Sequence, residues 1–82
     1  MINLNSTICH DNIIGDNVII SPNVTIAGSC QIGSNVIIGV SATINPAITI
    51  VEDVVIGSGS VVKKDVLEPG TYMGNPARKY DD

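Results

Sequence analysis

At 82 residues, with 44% hydrophobic side chains, no Trp or Phe and a formal charge of −4, the chain makes one small domain with an aliphatic core and little core to spare for a lone copy. The acidic balance speaks against nucleic acid as a partner, no apolar run approaches the roughly eighteen residues of a membrane span, and Met1 opens no basic signal segment, so a cytoplasmic location is expected. Cys9 and Cys30 lack metal-ligand spacing, and a reducing compartment disfavours a disulfide between them.

From Ile2 to Val62 a large aliphatic side chain returns every six residues, through Ile8, Ile14, Ile20 and onward. A fixed short period takes precedence over local propensities in reading a fold. Four residues after each lies a second position that is mostly small or aliphatic, from Ser6 and Asn12 through Val18, Val24 and Cys30 to Val66. Triplets such as Val18-Ile19-Ile20 and Val54-Val55-Ile56 therefore alternate in, out, in, which is the periodicity of a strand. Between them stand turn pairs such as Asp16-Asn17, Ser34-Asn35 and Ser58-Gly59. The second member is Asn, Asp, Ser or Gly throughout except at Ala47, which points to a left-handed backbone at each corner. Strand and corner in six residues describe a solenoid; a helix would need a period near 3.6.

The first repeats differ from the rest. Ser6 and Asn12 take inward positions that are aliphatic later, as expected of a solenoid's terminal coil, and residues 1–12 read as its upper rim. Beyond Val66 the repeat stops: Glu68-Pro69-Gly70 reads as a turn, Tyr72 and Met73 are expected to pack on the lowest coil or a neighbouring subunit, and Asn75-Pro76 favours an extended approach to Arg78. Residues 1–67 are thus assigned to the solenoid and 68–82 to a C-terminal tail.

The units IGDNVI, IGSNVI and IGSGSV resemble those of the hexapeptide-repeat family. That resemblance implies an all-β fold, a left-handed parallel β-helix of nearly four coils with triangular section, in which residues eighteen apart stack in columns. The outward strand positions then form three columns. Thr7, Thr25, Thr43 and Val61 make one; Ile13, Gln31, Thr49 and Leu67 make a second; Ile19, Ile37 and Val55 make a wholly aliphatic third. Aliphatic groups stacked on an outer face mark an interface, although β-branched residues also favour strands for their own sake. A homotrimer through Ile19, Ile37 and Val55 is expected, and the family resemblance implies the same. A single threonine rank falls short of the two that ice-binding β-helices usually present.

His10 is the chain's one histidine, at a corner in column with Gly28, Pro46 and Lys64 and followed by Asp11. An ordinary surface histidine is the plain reading; histidine's usual pKa of about 6.5 also suits proton abstraction near neutral pH. The stretch His10-Asp11-Asn12-Ile13-Ile14-Gly15-Asp16, with VVKKDV from Val61 to Val66 and GNPARK from Gly74 to Lys79, resembles the bacterial acetyltransferases that modify sialic acid or amino-sugar nucleotides. The resemblance implies acetyl-CoA as donor and a sugar or sugar-nucleotide hydroxyl or amine as acceptor. It makes His10 the general base and Asp11 its orienting carboxylate. The Gly28 N–H corresponds to the family's contact to the thioester carbonyl, and Val40 and Ser58 to main chain that lines the pantetheine arm.

All four basic residues fall in the last twenty positions. Lys63, Lys64 and Arg78 are candidates to meet nucleotide phosphates, against the plain reading of a solvated end balanced by Asp65, Glu68, Asp81 and Asp82. Two departures from the family are visible. Ile19 stands where a second histidine often contacts the acetyl group, and residues 1–82 begin at the β-helix where that group has an N-terminal nucleotide-sugar domain, so a fragment of a two-domain enzyme, a degenerate relative or an acyltransferase for another acceptor is expected. The zinc enzymes of the same fold class need three histidines, so no metal site is expected. The competing function is an inactive or structural trimerising β-helix.

Overall fold

A computed structural model describes residues 5–80; the first repeat position, Ile2, and the acidic pair Asp81 and Asp82 lie outside them. Twelve strands are seen among the described residues: β1 Thr7–Ile8, β2 Ile13–Ile14, β3 Ile19–Ile20, β4 Thr25–Ile26, β5 Gln31–Ile32, β6 Ile37–Ile38, β7 Thr43–Ile44, β8 Thr49–Ile50, β9 Val54–Ile56, β10 Val61–Val62, β11 Gly70–Gly74 and β12 Ala77–Lys79. They wind as a left-handed parallel β-helix of about four coils, with no α-helix among the described residues.

Three sheets form its sides. The threonine face is β1-β4-β7-β10, the mixed face β2-β5-β8, and the aliphatic face β3-β6-β9-β11-β12. Register is eighteen residues per coil: Thr7 pairs with Thr25, Thr25 with Thr43, and Thr43 with Val61. Main-chain bonds run straight from coil to coil, as from Thr7 N–H to Val24 O at 2.8 Å and Cys9 N–H to Ile26 O at 2.9 Å. Stacked parallel strands about 4.8 Å apart pair their main-chain groups this way between coils, without chain reversal.

The six-residue period places every inward side chain in one core. Ile20, Ile26, Ile38, Ile44, Ile50 and Ile56 are essentially solvent-free, with Val24, Val36, Val54 and Cys30 between them. Each such isoleucine contributes roughly 1.5–3 kcal/mol through burial. The corners adopt the backbone expected of them: Asn17, Asn23, Ser29, Asn35, Ser41 and Asp53 have φ between 57° and 63°, and the exception in residue type, Ala47, sits at 59°. Asn and Asp tolerate this region because their short polar side chains bond locally; alanine has no such compensation.

The lower end departs from strict stacking. With eighteen-residue spacing Val66 would lie beneath Ile48, yet it bridges Ile50 and Leu67 leaves the mixed-face column. The fourth coil is two residues short here, and the Asp65 carboxylate accepts the Thr49 N–H at 2.8 Å where coils above supply a carbonyl. The shortened turn brings residues 70–74 beneath β9, so β11 adds a parallel layer to the aliphatic face and Tyr72 packs against the core. The chain then reverses at the cis Asn75-Pro76 bond instead of running extended, and β12 pairs antiparallel with β11.

Candidate functional site

Three corners join the faces. The His10 corner links the threonine face to the mixed face through residues 9–12, 27–30, 45–48 and 63–65. The acidic corner, carrying Asp16, Glu52 and Asp53, links the mixed face to the aliphatic face. The Pro22 corner, carrying Val40 and Ser58, links the aliphatic face back to the threonine face.

His10 and Asp11 are exposed at the top of the first corner, Asp11 with φ 65°. That left-handed residue turns the chain so that the His10 carbonyl points down the corner, where it accepts the Ser29 N–H at 3.2 Å. Gly28 lies directly below, and a Cβ on it would stand 3.3 Å from the His10 carbonyl oxygen. The Gly28 N–H donates to no acceptor among the described residues, so this corner carries an exposed histidine and, one coil or about 4.8 Å of backbone below it, a residue with a free amide. Lys63 and Lys64 are exposed at the foot of the same corner, Lys64 about three strand spacings or 14 Å below His10.

Val40 and Ser58 stack at the Pro22 corner, where the Gly59 N–H reaches Val40 O at 2.8 Å and the Val40 and Ser58 N–H groups are likewise without an acceptor among the described residues. Arg78 is exposed on β12, the edge strand of the aliphatic face. Within one chain the sequence-predicted residues therefore fall into three places: His10, Asp11, Gly28, Lys63 and Lys64 together; Val40 and Ser58 across the threonine face; Arg78 below. A side of six residues spans at most about 20 Å.

Sequence reasoning missed Asn12 as more than a rim residue. Its side chain is bonded at both ends: Nδ2 donates to Cys9 O at 2.9 Å, and Oδ1 accepts the Cys30 N–H at 2.8 Å. The signal was a polar residue at an otherwise apolar position immediately after the His-Asp pair. It missed the mixed face too, where Ile13, Gln31, Gly33 and Thr49 line a shallow depression containing none of the expected site residues. Among the described residues no three His, Cys, Asp or Glu side chains converge to hold a metal ion, and no helix is long and apolar enough to cross a membrane.

Residues 11–46 match the family model described as bacterial transferase hexapeptide, six repeats. No curated protein matches the chain. Among solved structures, the UDP-N-acetylglucosamine O-acyltransferase of Moraxella catarrhalis is 34% identical with a TM-score of 0.89, over 93% of this chain and 30% of that one. The maltose O-acetyltransferase of Clostridium difficile is 29% identical with a TM-score of 0.63, over 92% and 62%. A mutant perosamine N-acetyltransferase of Caulobacter crescentus, solved with CoA and GDP-perosamine, shares the fold at 20% identity and a TM-score of 0.72, over 99% and 56%. The chain thus spans between 30% and 62% of the lengths of these three relatives. What these comparisons show is a likeness to the bacterial transferase hexapeptide repeat over residues 11–46.

Proposed function

We propose that this chain transfers an acetyl group from acetyl-CoA to a hydroxyl or amine of a sugar or sugar nucleotide, with His10 as general base. The observation that carries the reading is the exposed His10 imidazole standing one coil above the unpartnered Gly28 N–H. A ring nitrogen of His10 takes the proton from the acceptor as its oxygen or nitrogen attacks the thioester carbon. The Gly28 N–H holds the developing oxyanion, and Asp11 orients the ring. As the tetrahedral species collapses, the C–S bond breaks and the proton held by the imidazolium passes to the leaving thiolate. The names of the similar structures, acyl- and acetyltransferases acting on sugars, support the same chemistry.

The Val40–Ser58 corner reaches this site from a second copy. In a threefold ring of triangular prisms each copy turns one corner to the axis and packs the two flanking faces against its neighbours. With the acidic corner at the axis, the aliphatic face meets the neighbour's mixed face. The outer edges of that contact are then the Pro22 corner of one copy and the His10 corner of the next. Val40 and Ser58 main-chain amides line the pantetheine arm there, and Lys63, Lys64 and Arg78 meet the nucleotide phosphates. Exposed Ile19, Ile37 and Val55 supply one side of the contact and Ile13, 65% exposed, part of the other. The protein is expected to act in the cytoplasm.

The test is calorimetric titration with acetyl-CoA, followed by thiol release from acetyl-CoA with maltose, glucosamine and UDP- or GDP-linked amino sugars as acceptors. Binding at micromolar donor, with turnover abolished in His10→Ala while assembly persists, is the expected result. No binding at high micromolar donor would leave the structural trimerising reading; full turnover in His10→Ala would remove the imidazole from the reaction.

A further inference from the structure

Asn12 stands at a position which, lower on the same corner, is filled by the buried apolar residues Cys30 and Ile48. Valine or isoleucine there would bury more apolar surface, so the amide calls for its own account. Its two ends are fixed by their partners: Cys9 O is an acceptor and must face Nδ2, while the Cys30 N–H is a donor and must face Oδ1. The first bond spans His10 and Asp11 and closes the turn that displays the imidazole. The second anchors that turn to the residue two places after Gly28. One planar amide thereby ties the backbone just before His10 to the backbone just after Gly28.

From this geometry we infer that Asn12 is a positioning residue that sets the distance between the His10 imidazole and the Gly28 N–H. The role in turnover rests on the reading of His10 as base; the clamp on the His10 turn does not. Ser6 provides the internal comparison. Its hydroxyl also donates to one carbonyl, Ser21 O at 2.7 Å, and accepts from the coil below, Val24 N–H at 3.4 Å, but at the Pro22 corner. Both residues satisfy rim polar groups, and only Asn12 touches the His10 turn.

The experiment compares Asn12→Val, Asn12→Asp and Ser6→Val by 15N relaxation at the His10 amide and by steady-state thiol release from acetyl-CoA. Asn12→Val should raise fast backbone motion at His10. It should also lower kcat about 10- to 100-fold, the scale of a misplacement near 1 Å, with the KM for acetyl-CoA changed less than about twofold. Asn12→Asp keeps the bond from Cys30 and loses the one to Cys9, and should fall between Asn12→Val and the parent; it carries the test if the valine variant does not fold. Ser6→Val should leave His10 mobility and kcat at parental values. Parental His10 mobility in both Asn12 variants, or equal changes in Ser6→Val, would overturn the assignment. If His10→Ala proves fully active, the base reading falls, and the relaxation measurements still decide whether Asn12 clamps the turn.

Discussion

Ile37 and Ile38 are neighbours in the chain and face opposite ways: Ile37 is 42% exposed on the aliphatic face, and Ile38 is wholly buried against the stacked isoleucines above and below. The two side chains are chemically identical, so substituting each in turn separates assembly from folding. Ile38→Ala should cost about 2–5 kcal/mol in urea unfolding, as a cavity in a close-packed core does. Ile37→Lys should keep the β-sheet circular dichroism and convert a trimer to monomer in sedimentation. A trimer unaffected by the lysine would place the contact on another face.

The proposed ring, in which Val40 and Ser58 approach a neighbour's His10, would gather Asp16, Glu52 and Asp53 of every copy toward the threefold axis. Repulsion among these exposed carboxylates is screened as salt rises, the Debye length falling from about 10 Å at 0.1 M to about 3 Å at 1 M. Trimer dissociation, followed by sedimentation, should therefore weaken between 0.05 and 1 M NaCl by roughly tenfold. Strengthened dissociation at high salt would favour the alternative ring, with the Pro22 corner at the axis.

Ala47 holds a φ of 59° without the local hydrogen bonding open to the Asn, Asp and Ser residues of neighbouring corners. The left-handed region costs a residue with a Cβ about 1–2 kcal/mol, and glycine gives back about 0.4–1 kcal/mol through its freer unfolded chain. Ala47→Gly should therefore stabilise the fold by about 0.5–1 kcal/mol in chemical denaturation. A loss of stability would show that the alanine methyl makes a compensating contact.

Gly33 is required for a different reason. A Cβ there would lie 2.6 Å from the Glu52 nitrogen and 2.8 Å from the Val51 carbonyl carbon in the coil below, both main-chain atoms that cannot swing aside. Gly33→Ala should cost about 1–3 kcal/mol, the scale of overpacking. At Gly59 a Cβ meets nothing within 4 Å and only its φ of 72° opposes substitution, so Gly59→Ala should cost less. Thermal unfolding of the two variants side by side checks the order.

Much of this architecture was legible in the chain because a six-residue period leaves each side chain one direction. The identity of Ile20, Ile26 or Ile44 as core, and of Asn17, Asn35 and even Ala47 as left-handed corners, follows from position modulo six. The columns carrying His10 above Gly28, and Val40 above Ser58, follow from position modulo eighteen once three sides are granted.

Where the period ends, that logic ends with it. The displacement of Val66 from beneath Ile48 to Ile50, the substitution of the Asp65 carboxylate for a carbonyl, and the addition of Gly70–Gly74 to the aliphatic face depend on which loose end finds an unpaired strand edge. Asn12 is the same kind of case at the upper end: its letter announces a polar group at an apolar position, and only the folded coil shows that Cys9 O and the Cys30 N–H lie within reach of one amide. A repeating sequence determines the winding because each residue answers to its own place in the period. Its ends are decided by tertiary structure, since there main-chain groups lacking a coil to pair with take whatever side chain or strand lies nearest.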